Sequence, residues 1–141
     1  MTLKNTDNEY RITVSNRQTI DSETDTIEET AYGNYTEKNG KQYITYKTEN
    51  DGDKISSMIK IDGNEILIKR TGSVNSSMTY KVDTKKEFLY HLPYGTVPME
   101  IETQRIVSKL DENGGTIELV YPLMVQGEKY FNDMKITVSK R

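Results

Sequence analysis

Few residues in this chain have the chemistry to act as acids, bases, nucleophiles or metal ligands. His91 is the sole histidine and there is no cysteine. Paired-histidine and thiolate metal motifs are therefore excluded, as is a thiol nucleophile, and any metal site would rest on carboxylates alone. His91 ends the run Phe88, Tyr90 and Leu92 on the opposite parity. This placement reads as a surface or strand-end histidine, because a general base needs a nucleophile or substrate within reach. A calcium-loop reading fails: with Gly52 at the sixth position, the first falls on Lys47 rather than on an aspartate. Gly114-Gly115 has no following Lys-Ser/Thr pair and reads as a hairpin rather than a phosphate cradle. Glu100 and Glu102 stand two apart on one strand face, a spacing compatible with acid–base work, but a solvated outer face accounts for them. No catalytic residue, metal or cofactor is assigned, and a non-enzymatic role is favoured.

Polar residues on an apolar face are more informative. Side chains alternate strictly across a strand, so one parity must fill the interior. That parity holds Ile66 and Ile68, then Val74, Met78, Tyr80 and Val82, then Phe88, Tyr90 and Leu92. Continuing it puts Arg70, Ser76, Thr103 and Arg105 on the inward face. Ile101 and Val107 support the register for Arg105; Ile106 and Leu110 contradict it, and a bulge near Gln104-Arg105 would reverse it. Glu29, sharing parity with Ile27, Ala31 and Tyr35, is a candidate counter-ion.

The elements that carry these residues are strands. Apolar and polar residues alternate along nearly the whole chain, as in Tyr10, Ile12, Val14 and in Ile117, Leu119, Tyr121, Leu123, Val125, and helical spacing is hard to find. Weaker strands fall near 26–37, 41–49, 54–62, 65–71, 74–82, 86–92 and 97–110, and the last near Met134, Ile136 and Val138. Pro122, with no N–H, predicts an edge, a bulge or a distorted ladder within its run. Gaps of two to five residues rich in Gly, Asn and Asp predict hairpins, the clearest being Asn39-Gly40. An up-and-down meander leaves two exposed edges unless it closes. The expectation is an all-β fold, a small antiparallel up-and-down β-barrel of about 8–10 strands, favoured over a sandwich.

Composition sets the limits. The 141 residues fit one domain, expected over 8–141, with 1–7 a flexible N-terminus. Leu, Ile, Val and Phe together number only 30, so apolar material is scarce, whereas ten of the twelve aromatic residues are Tyr. A net charge of −3 argues against a nucleic-acid binder. No apolar window is long enough to span a membrane, and the first residues lack the apolar core of an export signal, so the expected compartment is the cytoplasm.

Glu29-Thr30-Ala31-Tyr32-Gly33-Asn34-Tyr35 and Asn39-Gly40-Lys41-Gln42-Tyr43-Ile44 resemble the early strands of the YwiB-like family of bacterial proteins. Gly72-Ser73-Val74-Asn75-Ser76-Ser77-Met78 is similar to its Gly-x-Val-x-Ser-x-Met segment, and Leu92-Pro93-Tyr94-Gly95 to its Pro-Tyr-Gly segment. With Gly114-Gly115 and Tyr121, the resemblance runs from about residue 10 onward. It implies a calycin-like, lipocalin-like barrel and brings no catalytic residue with it.

An inward arginine in such a barrel suggests that Arg70 or Arg105, helped by Ser76 and the Tyr80 and Tyr121 hydroxyls, binds the carboxylate or phosphate of a small, partly apolar ligand in the lumen or at its mouth. Pairing of the arginine with Glu29 inside a side-chain-filled barrel satisfies the same residues without a ligand. The protein is then a structural or protein-interaction module. Tyr94 sits in a loop stiffened by Pro93 and Pro98 and is expected either to pack over a barrel mouth or to form a lid or contact loop. The remaining partner expectation is a homodimer. A lumen of roughly 300 Å³ or more would favour the ligand.

Overall fold

Alternation of apolar and polar residues over nearly every segment leaves the chain one way to bury its apolar face, a sheet curled upon itself. In the computed structural model, which describes residues 9–141, that is the outcome; the expectation for residues 1–7 lies outside the described residues. Eleven strands form among the described residues: β1 (Tyr10–Ile20), β2 (Glu23–Lys38), β3 (Lys41–Asn50), β4 (Asp53–Asp62), β5 (Glu65–Gly72), β6 (Ser76–Lys81), β7 (Thr84–Leu92), β8 (Gly95–Thr103), β9 (Arg105–Asp111), β10 (Gly114–Val125) and β11 (Glu128–Lys140). None of the described residues builds a helix long and apolar enough to cross a membrane.

The order around the sheet is β6-β5-β4-β3-β2-β1-β11-β10-β8-β7, with β9 also on β10. Every pairing is antiparallel. The ring meets at β6 and β7 through the bridge of Asn75 with His91, whose backbone N–H and C=O groups exchange two bonds of 3.0 Å. His91 is therefore an exposed seam residue, as its parity predicts, with Nδ1 at 3.1 Å from Thr96 Oγ1. Asn39 and Gly40 both take positive φ, 54° and 77°, as a tight hairpin between twisted strands requires.

One expected strand, 97–110, is broken in two, which corrects the place of Arg105. Ile101 of β8 faces Leu123, and Ile106 of β9 faces Leu119, so five steps on one side meet four on β10. Gln104 N–H bonds Val120 C=O at 2.8 Å, and Arg105 stands opposite the same Val120. Two residues against one is a β-bulge. Parity reverses there: Thr103 and Ile106 turn inward, and Arg105 is exposed on the outer wall. Pro122 falls in the interval between the β8 and β9 ladders. Because β8 and β9 lie end to end along β10, the ring is ten strands around.

The interior has two unlike halves. Ile12, Ile44, Ile59, Ile66, Ile117, Leu119 and Ile136 are at most 1% exposed and fill the half toward the β2–β3, β4–β5 and β9–β10 turns. Tyrosine and glutamine close that end: Tyr10 donates to Glu112 C=O at 2.7 Å, and Gln42 Nε2 donates to the Tyr35 hydroxyl at 2.9 Å and to Leu110 C=O at 2.6 Å. Val82, expected inward, is 36% exposed at the β6–β7 turn.

Strands β2 and β3 are closest at Gly33. A Cβ there would run into the Thr45 carbonyl oxygen and the Tyr46 Cβ, so only glycine lets the two backbones meet. Gly33→Ala is expected to lower stability by about 1–3 kcal/mol, as overpacking of a fitted contact does. Urea denaturation monitored by circular dichroism measures it, and an unchanged midpoint would show that β2 and β3 can part at no cost.

Candidate functional site

The other half of the barrel, toward the β1–β2, β3–β4, β5–β6, β7–β8 and β10–β11 turns, is not filled. A cavity of about 420 Å³ lies there, and its wall includes Arg70, Glu29, Tyr90, Tyr121, Ser57 and Asn132 among apolar side chains such as Val14, Ile55, Met78 and Met134. Each polar member continues the parity of an apolar run: Arg70 follows Ile66 and Ile68, Ser57 precedes Ile59 and Ile61, and Asn132 precedes Met134 and Ile136. The hydrophobic pattern in the filled half thus dictates which polar groups face the hollow one.

Register sets Arg70 at the centre of a row. Tyr46 of β3 pairs with Ser57 of β4, Ser57 with Arg70 of β5, and Arg70 with Ser76 of β6. These are nearest neighbours on one face, so a guanidinium stands between two hydroxyls with a phenol one strand further on. Ser57 and Ser76 are buried, and Ser76 Oγ has no hydrogen-bond partner among the described residues. Tyr80 and Tyr121 stack edge-on near the same wall, ring centroids 4.8 Å apart and planes at 67°.

Electrostatically, the row is a cation among neutral groups. No described carboxylate lies within ion-pair distance of Arg70; ion pairs among the described residues include the exposed Arg17–Asp133 at 3.3 Å and Lys41–Asp62 at 3.7 Å. The expected Arg70–Glu29 pair is therefore not formed, and Glu29 instead accepts a long bond of 3.5 Å from the Tyr46 hydroxyl. Burial disfavours the Arg70 charge, but the facing Tyr46, Tyr80, Tyr121 and Glu29 outweigh it, and its pKa is raised. Burial pushes the Tyr80 hydroxyl well above its ordinary value, with Tyr121 adding to the effect and Arg70 opposing it. Tyr121 and Tyr46 are also raised by burial against the pull of Arg70. All three phenols stay neutral donors at physiological pH.

On the wall opposite β5 in the ring, Asn132 Oδ1 accepts from Asn16 Nδ2 at 3.0 Å and from Gln18 Nε2 at 2.9 Å, while Asn132 Nδ2 donates to Tyr130 C=O at 3.1 Å. Asn16 Oδ1 is buried with no hydrogen-bond partner among the described residues. This amide cluster has no charge to offer Arg70.

Of the residues singled out in the sequence, Arg70, Ser76, Tyr80 and Tyr121 come together on the inner wall. Arg105 is outside, for the reason given by the bulge. Tyr94 is 87% exposed at the β7–β8 turn and packs over nothing, although that turn lies at the hollow end. Tyr46, Ser57, Asn16, Gln18 and Asn132 were not anticipated. The signal for them was parity extended past the last aliphatic residue of each run. Among the described residues no cluster of three metal-ligating side chains occurs.

Comparison with known proteins follows the architecture. Residues 12–138 match the family described as "Domain of unknown function (DUF1934)". The chain is similar to the "Uncharacterized beta-barrel protein YwiB" of Bacillus subtilis (strain 168), 29% identical over 118 residues and covering 83% of each chain. A solved structure, described as "Crystal structure of ywiB protein from Bacillus subtilis", has a TM-score of 0.87 to this fold at 26% identity, covering 94% of this chain and 91% of that one.

The raised tyrosines make a prediction about alkaline stability. A phenol whose folded pKa exceeds its unfolded value near 10.0 contributes stability that is complete below pH 10 and is lost as pH rises toward the folded value. The loss runs at about 1.4 kcal/mol per pH unit per tyrosine. Stability to urea should therefore fall steadily as pH rises above 10, and Tyr80→Phe should flatten that slope. An identical slope in the variant would mean that Tyr80 titrates freely.

Proposed function

This chain belongs to the DUF1934 family, and from that membership and the lumen geometry we propose that it is a non-enzymatic barrel binding a small, partly apolar anion in its hollow half. One observation carries the reading: Arg70 faces a cavity of about 420 Å³ with hydroxyls on both neighbouring strands and no carboxylate in ion-pair reach. A guanidinium with no carboxylate in direct contact keeps hydrogen-bond donors free, and an anionic ligand group can take them in the forked geometry. Ser57, Ser76 and the Tyr46 phenol supply neutral donors beside it. The apolar remainder of the ligand packs on Ile55, Val74, Met78, Met99 and Leu123.

This is a calycin-like use of a barrel, with recognition inside rather than on the surface. The absence of cysteine suits the reducing environment of the cytoplasm, where we place its action. Against the solid-barrel alternative stands the cavity of about 420 Å³ in the hollow half.

Anilinonaphthalene sulfonate, a compact aromatic anion, is the test probe. Wild-type protein is expected to bind it with a fluorescence rise. Arg70→Met should weaken binding by roughly 10- to 100-fold, the worth of hydrogen bonds to a charged group. It should keep the fold, with circular dichroism as the check. Arg105→Met, on the outer wall, should change neither. Equal binding by wild type and Arg70→Met would overturn the reading. Native mass spectrometry of freshly purified protein checks for a copurified anion and for dimers in the same spectrum.

A further inference from the structure

The wall of the hollow half is incomplete on one side. The β2–β3 ladder runs from Lys38–Lys41 to Gly33–Tyr46 and stops there, although β2 continues to Glu23 and β3 to Asn50. Over that stretch β2 pairs with β1 and β3 pairs with β4, and neither pairs with the other. The two strands part at Gly33, where their backbones are pressed together, and leave an opening from mid-barrel to the hollow end.

Outside the opening is a second space of about 900 Å³. Thr48 and Ser57 border both this cleft and the lumen cavity, so the two spaces lie on either side of the same pair of side chains. The cleft differs in chemistry from the lumen. Hydroxyls of Thr30, Thr45 and Ser56, the ammonium groups of Lys47 and Lys69 and the Glu49 carboxylate line it beside Ala31, Tyr32 and Met58, so its surface is about half polar, more polar than the lumen wall. The polar row that passes through Arg70 begins at Tyr46, the last residue paired before the strands separate. The line from the hydroxyl-rich cleft past Thr48 and Ser57 leads to the guanidinium.

We infer that the ligand is an elongated anion that threads the β2–β3 opening, with its anionic head on Arg70 and a hydroxyl- or amide-bearing tail in the outer cleft. This rests on the lumen reading above and adds a second subsite to it. An apolar segment between head and tail matches the apolar cavity wall. The tail's polar groups match the cleft, where an alkyl chain would leave hydroxyls and ammonium groups desolvated.

The chain contains no cysteine, so a single introduced thiol reports where a bound ligand's tail lies. Bromoacetamidohexanoate carries a carboxylate, a short methylene chain and a polar, electrophilic end. The thiolate displaces bromide, forming a C–S bond as the C–Br bond breaks, and the thiol proton passes to solvent. Ser56→Cys in the cleft is expected to be alkylated at least tenfold faster than Ser108→Cys, which is exposed on β9, with intact mass as the readout. Bromoacetamide, lacking the carboxylate, should label both equally. Anilinonaphthalene sulfonate should abolish the acceleration, as should Arg70→Met in the Ser56→Cys background. Equal labelling of the two sites, with Arg70-dependent sulfonate binding intact, would overturn the threading and leave the lumen site standing. Acceleration that survives Arg70→Met would also overturn it. Loss of sulfonate binding in wild type would remove both.

Discussion

Arg70 is held inside the barrel by the residues that precede it. Ile66 and Ile68 share its strand and parity and are at most 2% exposed, so releasing the guanidinium to solvent means turning both isoleucines out. In an open sheet a one-residue slip would be a local matter. In the nearly closed ring β5 is registered against β4 and β6 together, and Arg70 is fixed simultaneously to Ser57 and Ser76. The hydrophobic effect acting on aliphatic residues in one half of the barrel therefore presents a cation, at a defined height, to the cavity in the other half.

The division into a filled and a hollow half follows from a shortage of aliphatic side chains. Ten strands enclose more interior than 30 Leu, Ile, Val and Phe residues, many of them on the outer wall, can occupy. Tyrosine makes up part of the difference. Tyr10 and Tyr35 close the filled end, and Tyr46, Tyr80 and Tyr121 stand at the boundary, where their rings bury apolar area and their hydroxyls keep polar company. Burial raises these phenols rather than ionising them, so at neutral pH they carry no negative charge to pair with Arg70. A barrel built with more aliphatic residues would have no such lumen.

Breaks in the regular pattern are where the wall acquires openings and changes of face. The bulge at Gln104-Arg105 returns β9 to the correct parity for Ile106 and Leu110 and expels Arg105. Gly33 clamps β2 to β3 at one level and lets them diverge beyond it. At the β6–β7 seam a single bridge at Asn75 and His91 completes the ring. None of these changes the meander order, and each affects which groups reach the cavity or the cleft.

Period-two alternation and the turn residues determined the all-β class, the hairpin order, the inward placement of Arg70, Ser76, Tyr80 and Tyr121, and the turn at Asn39-Gly40. These are local properties: a pleated strand alternates its side chains whatever it pairs with, and φ > 0 at a two-residue turn is a matter of a few atoms. Tertiary structure alone decided that Arg105 faces out, because a bulge is a relation between two strands and leaves a single strand's sequence ambiguous. It also decided that Glu29 lies beyond ion-pair reach of Arg70, and that Tyr94 stands free at its turn. The gathering of Tyr46, Ser57, Arg70 and Ser76 into one row belongs to the same class. Their separation along the chain carries no signal, and only the registers of three ladders in a closed ring make them neighbours.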